Sequence, residues 1–88
     1  MTLRIEQSNR QGTTLIRLIG RLGAEHLGEL RAQIAKCEVV PVLDLEEVDL
    51  VDVDGVRFLV SVQKDGIDVR NASPYIREWM HRVRGDKS

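Results

Sequence analysis

The sequence predicts an α/β fold with a small mixed sheet, and three features predict it. Apolar residues alternate at period two near the start of the chain. Apolar residues at spacings of three and four follow, and they return at the end. From residue 39 onward short apolar runs alternate with helical segments, which is the pattern of parallel strands joined by crossover helices. The predicted order is β-β-α-β-α-β-α, four strands and three helices. An antiparallel hairpin leads into two right-handed strand-helix-strand crossovers, which set all three helices against the sheet.

The elements follow in turn. Leu3, Ile5 and Gln7 alternate with Arg4 and Glu6, as in a half-buried strand. Asn9 to Gly12 form a turn in which Gly12 supplies a positive φ. Thr13 to Ile19 are rich in β-branched residues and end at Gly20, completing a hairpin. From Ala24 the period changes: Leu27, Leu30, Ile34 and Cys37 make one stripe of an amphipathic helix, with Glu25, Glu29, Arg31 and Lys36 mostly off it.

Val39 to Leu45 form the next strand, with Pro41 tolerated only at its start or edge. Its density of valine and leucine suits a central position under helices. A short helix begins at Asp54 or Gly55, with Asp54 as the anion at its N-terminus, and Lys64-Asp65-Gly66 closes it. Ile67 to Arg70 form a brief strand. Ser73 then caps a last helix with Pro74 in its first turn and Ile76, Trp79, Met80 and Val83 as its buried stripe; Gly85 to Ser88 are expected to fray.

Length and composition narrow the function. Eighty-eight residues suffice for one domain spanning 1–88, with one modest core and little room for a deep, sealed active site. With 42% hydrophobic and 31% charged residues the chain is expected to fold rather than remain disordered. A single cysteine, Cys37, forms no internal disulfide and reads as a small buried hydrophobe. No basic segment followed by an apolar stretch opens the chain, and no apolar run approaches the ~18 residues that cross a bilayer. A cytoplasmic location is the expectation.

The net charge of −1 conceals a pattern: residues 1–37 carry +3, residues 38–68 carry −7 and residues 69–88 carry +3. The acidic middle disfavours nucleic acid and favours a partner that presents cations. Arg77, Arg82, Arg84 and Lys87 read as the solvated face of the last helix. Phe58, Tyr75 and Trp79 are too few for a base-stacking platform. His26 and His81 lack metal-ligand neighbours and read as solvated surface. A calcium loop through Asp52 and Asp54 would need carboxylates where Leu50 and Ser61 stand, so no metal and no cofactor is expected.

Four segments taken together resemble a STAS domain, the family of sulfate transporters and anti-sigma factor antagonists. They are Gly20 to Leu30, Pro41 to Leu45 through Val48, Val51 to Val56, and Arg70 to Arg77; they keep the family's order over nearly the whole chain. The resemblance implies a non-enzymatic protein-interaction module of a bacterial partner-switching circuit. In such members an anti-sigma kinase phosphorylates a Ser or Thr just before a glycine at the start of the second helix, in a pattern like Asp-Ser-Ser-Gly. Here the stretch is Asp52-Val53-Asp54-Gly55, so Asp54 holds the phosphoacceptor-equivalent position and no hydroxyl is present. Gly23 stands where the family tends to have Asp, and the second helix reads as shorter than usual.

The implied partner-binding surface comprises Asp52, Val53, Asp54, Gly55, Val56 and Arg57, with Arg21, Gly23 and Glu25 on the adjoining turn. The implied partner is an anti-sigma factor or kinase. Alternatives from the same family are a small subunit of an ABC-type transport complex, bound to its ATPase, and a ligand-sensing domain. A remoter enzymatic reading takes Asp52-Val53-Asp54-Gly55-Val56 as a haloacid-dehalogenase-like phosphatase motif, with Asp52 as nucleophile and Asp54 as acid/base. That chemistry needs a larger doubly wound sheet and further cationic and acidic groups than the 34 residues after Asp54 supply.

Overall fold

The computed structural model describes residues 3–86. Strand β1 (Leu3–Arg10) pairs antiparallel with β2 (Thr13–Leu22), in a register running from Leu3 opposite Gly20 to Arg10 opposite Thr13. The two-residue turn has positive φ at both Gln11 (53°) and Gly12 (82°), the conformation whose twist matches a hairpin. Helix α1 (Leu27–Ala35), preceded by a 3-10 turn (Ala24–His26), leads to β3 (Val42–Val51). Helix α2 (Val53–Lys64), β4 (Asp68–Arg70) and α3 (Pro74–Asp86) complete the chain. The sheet order is β1-β2-β3-β4, with β2, β3 and β4 mutually parallel. This is the predicted mixed four-stranded sheet with three helices.

Both crossovers step in one direction across the sheet, so right-handed connections bring α1 and α2 to the same face. Ile16 and Leu18 of β2 and Leu43 and Leu45 of β3 point to that face. They form one core with Leu30 of α1, Val56 and Leu59 of α2, and Ile76 and Met80 of α3. The Arg31 guanidinium lies 4.9 Å from the centre of the Phe58 ring, so α1 also covers α2's one aromatic residue. The opposite face carries an alternating row of charges, Glu6, Arg17, Asp44 and Arg70, which are register neighbours across all four strands. Asp44 is buried there; its Oδ1 accepts from the Glu46 amide (3.0 Å) and from Asn71 Nδ2 (3.1 Å), and Arg17 lies 3.9 Å from its Oδ2.

Several boundaries differ from the sequence prediction. Gly20 does not end β2: with φ 106° it sits beside register shifts, and the strand runs on to pair Leu22 with Val51. Val39 and Val40 are exposed and outside β3, which begins after Pro41 and continues to Val51, six residues beyond the expected end. A register irregularity between Asp44 and Glu47 carries Glu46 and Glu47 to the surface and returns Val48 and Val51 to the core. Helix α2 starts at Val53, earlier than Asp54 or Gly55, and runs for twelve residues. The last strand is Asp68–Arg70, with Ile67 buried just before it. Helix α3 starts as predicted, Ser73 Oγ accepting from the Ile76 amide at 3.3 Å, but stays helical through Gly85 and Asp86. Lys87 and the predicted fraying of residues 87–88 lie outside the described residues.

Candidate functional site

The two segments named by the sequence, around Arg21 to Glu25 and Asp52 to Arg57, meet at the C-terminal ends of the parallel strands β2 and β3. Asp52 holds them together. Its amide donates to the Leu22 carbonyl (3.2 Å), the last backbone bond between the two segments, and its own carbonyl accepts from Val56 (3.0 Å), the first turn of α2. Its side chain then divides. Oδ1 accepts from the Gly55 amide at 2.7 Å and caps α2, while Oδ2 accepts from the Ala24 amide at 3.0 Å and anchors the 3-10 turn. Two otherwise unpaired N–H groups are thereby satisfied by one carboxylate. The Gly55 bond chiefly holds the Asp52 carboxyl below its usual range; partial burial opposes this, and the Ala24 bond and the Arg21 guanidinium add to it.

The cap is therefore Asp52, and the expectation that Asp54 provides it is corrected. Asp54 lies in the first turn of α2, exposed, where a carboxylate is favoured by the helix dipole but makes no side-chain hydrogen bond among the described residues. Val53 beside it is 42% exposed, and Arg57 one turn on is exposed too. Across the junction Arg21 pairs with Glu25 (3.4 Å), and Glu25 is exposed. These five side chains form the accessible rim.

Other residues named from the sequence do not face a partner. Val56 is fully buried in the core, pointing away from the rim because α2 turns its apolar stripe to the sheet; its proposed contact role is corrected. Gly55 is buried, and a Cβ there would lie 2.7 Å from the Leu22 carbonyl oxygen, so glycine is needed for α2 to approach β2. Gly23 is also buried, and a Cβ on it would stand 3.2 Å from Asp52 Oδ2. An aspartate at residue 23 would bring a second carboxylate against Asp52, which gives a physical reason for glycine here.

His26 belongs to the junction as well. Rather than being solvated it is half-buried, and its Nδ1 accepts from the Gly23 amide at 3.3 Å, fixing the turn that delivers Ala24 to Asp52. Nothing in its sequence neighbourhood signals this, because the bond depends on the 3-10 turn. Cys37 is half-buried, its Sγ donating to the Gln33 carbonyl at 3.4 Å. Asp52, the nucleophile of the phosphatase reading, has each carboxylate oxygen accepting one backbone N–H. Among the described residues no cluster of three or more His, Cys, Asp or Glu side chains is arranged to hold a metal, and no helix is long and apolar enough to cross a membrane.

Comparison with known proteins defines the fold. No protein-family model matches the chain, and no curated protein matches it. A solved structure of the anti-sigma factor antagonist SpoIIAA in its unphosphorylated form superposes with a TM-score of 0.69 over 92% of this chain and 83% of that one, at 22% identity. An uncharacterized protein of the DUF3478 family with a SpoIIAA-like fold, from Shewanella loihica PV-4, gives a TM-score of 0.46 at 17% identity, over 94% of this chain and 77% of that one. Strand order, helix placement and the first of these superpositions agree: the chain has the SpoIIAA-like, STAS-type α/β fold.

Proposed function

We propose that this protein is a non-enzymatic interaction module of the anti-sigma factor antagonist kind. In this reading it docks a cytoplasmic regulatory protein through Val53, Asp54, Arg57, Arg21 and Glu25. The observation that carries the reading is the division of labour at the start of α2. Asp52 spends both oxygens on holding two segments in place, while the carboxylate of Asp54 is exposed on the rim and, among the described residues, has no side-chain partner. A fold alone does not define a function, so the proposal rests on this site as well as on the likeness to SpoIIAA.

The rim is constitutive. A phosphate would bring a charge of about −1.5 to −2 and three acceptor oxygens, whereas Asp54 brings a single charge and two oxygens. Residues 52–55 contain no hydroxyl, so this module carries a fixed negative charge where other members switch one. A kinase-type anti-sigma factor is the partner this predicts, and the alternatives are a transporter ATPase or a retained small molecule. The test is capture from the native host with tagged wild-type and Asp54→Arg chains, followed by incubation of the wild type with the captured kinase and ATP. The expected result is an anti-sigma kinase whose capture falls at least about tenfold on charge reversal, with residues 52–55 unmodified in the mass spectrum. Capture of a transporter ATPase alone, indifference to Asp54→Arg, or phosphate within that segment overturns the reading.

A further inference from the structure

The surface between α2 and α3 has a chemistry that the rim does not explain. A groove of about 1050 Å³ runs beside Val53, Arg57, Val60 and Lys64, residues spaced along one flank of α2, so it follows the helix for most of its length, about 18 Å. Trp79 and Val83 of α3 form its other wall. Its apolar lining is bordered by Arg57 and Lys64 on one side and by Arg82 and Arg84 on the other, and among the described residues no aspartate or glutamate lines it. The sequence assigns Arg82 and Arg84 to solvent and Trp79 to the core; in the structure both arginines are exposed and line this groove, and Trp79 beside them is only half-buried.

The pairing of these cations is uneven. Arg82 pairs with Glu78 of its own helix (3.3 Å), and Arg84 donates to the Gln63 side chain. Arg57 and Lys64 have no carboxylate within ion-pair distance among the described residues; they stand seven residues apart, two turns or about 10.5 Å along α2. Beside the groove, Tyr75 is exposed and its ring centre lies 5.8 Å from that of Trp79. Tryptophan, tyrosine and arginine at the margin of an apolar floor are the composition of energetically dominant contact sites.

We infer that the α2–α3 groove docks an amphipathic, acidic helix of a partner protein: its apolar stripe lies over the half-buried Trp79 and Val83, and carboxylates two turns apart meet Arg57 and Lys64. A helix laid between two helices matches the length and ridged shape of such a groove. Charge complementarity selects the acidic class. A nucleic acid is disfavoured because the floor is apolar and residues 38–68 carry −7 in the same small chain. A second copy offers no matching helix, because its strongly acidic stretch is strand β3, already paired in the sheet. The inference rests on the interaction-module reading and adds a second contact and the chemistry of the partner.

Trp79 is the only tryptophan, so its fluorescence reports on the groove directly. The probes are two synthetic helical peptides of about 14 residues with the same leucine stripe, one flanked by glutamates and the other by lysines. The glutamate peptide is expected to shift Trp79 emission to shorter wavelength and to saturate; the lysine peptide is not. Arg57→Gln combined with Lys64→Gln is expected to raise the Kd at least about tenfold without moving the thermal midpoint, while Glu6→Gln on the opposite sheet face leaves the Kd unchanged. Equal binding of both peptides, binding of neither, or tighter binding of single-stranded DNA or of phosphatidylserine vesicles overturns the inference. A natural partner whose capture responds to Asp54→Arg but not to Lys64→Gln, a groove residue outside the rim, would sink the groove and leave the rim standing.

Discussion

The two ends of α2's surroundings are built on opposite terms. At its N-terminus the polar groups are spent inside the chain: Asp52 serves Gly55 and Ala24, His26 serves Gly23, and Arg21 serves Glu25. Along its flank Arg57 and Lys64 stand beside an apolar floor with no such counterpart among the described residues. At the junction the inward groups, Asp52 and Gly55, hold the fold together while Asp54 stays exposed on the rim. Substitutions at Asp52 and Gly55 should therefore cost stability, whereas substitutions at Asp54 or on the flank should cost binding alone.

The largest break in that contrast is expected at Gly55. A Cβ at this position would meet the Leu22 carbonyl at 2.7 Å, and that oxygen belongs to backbone already bonded to Asp52. Gly55→Ala should lower unfolding free energy by about 2 kcal/mol despite the roughly 1 kcal/mol by which helices prefer alanine, as read by chemical denaturation. A stabilised Gly55→Ala variant would mean that α2 does not press on β2 as described.

Asp52→Ala comes next, at about 1 to 2 kcal/mol, because it removes the cap and the anchor of Ala24 together. The same carboxylate should impose a pH dependence. Its folded-state pKa lies below the ordinary value of 3.8, so between the two values the unfolded chain binds more protons and stability rises with pH. The contribution is present above pH 3.8 and is lost as pH falls through the lower folded value. Comparing wild type with Asp52→Asn in acid denaturation should show a shallower slope in the variant below pH 3.8; identical slopes would remove Asp52 from the linkage.

What the sequence disclosed follows from how local each signal is. The hairpin turn at Gln11-Gly12, the apolar stripe of α1 and the Ser73 cap of α3 are all decided within a few neighbouring residues. The length of β3 was hidden because Glu46, Glu47 and Asp49 break the apolar run, and only irregular pairing with β2 keeps them in a strand. The junction is half-legible: the two segments that meet there each carry a visible motif, yet the choice of Asp52 over Asp54 as cap depends on Ala24, twenty-eight residues away. Val56 was misplaced for the related reason that an aspartate-flanked run looks like a surface until the helix phase is fixed by its N-terminal residue.

The most direct test of the Asp52 latch is amide hydrogen exchange at Ala24 and Gly55, measured by NMR in wild type, Asp52→Ala and Asp54→Ala. Both amides should be protected in the wild type, both should lose protection together in Asp52→Ala, and both should keep it in Asp54→Ala. Free exchange at Ala24 in the wild type, or equal losses in the two variants, would contradict the account.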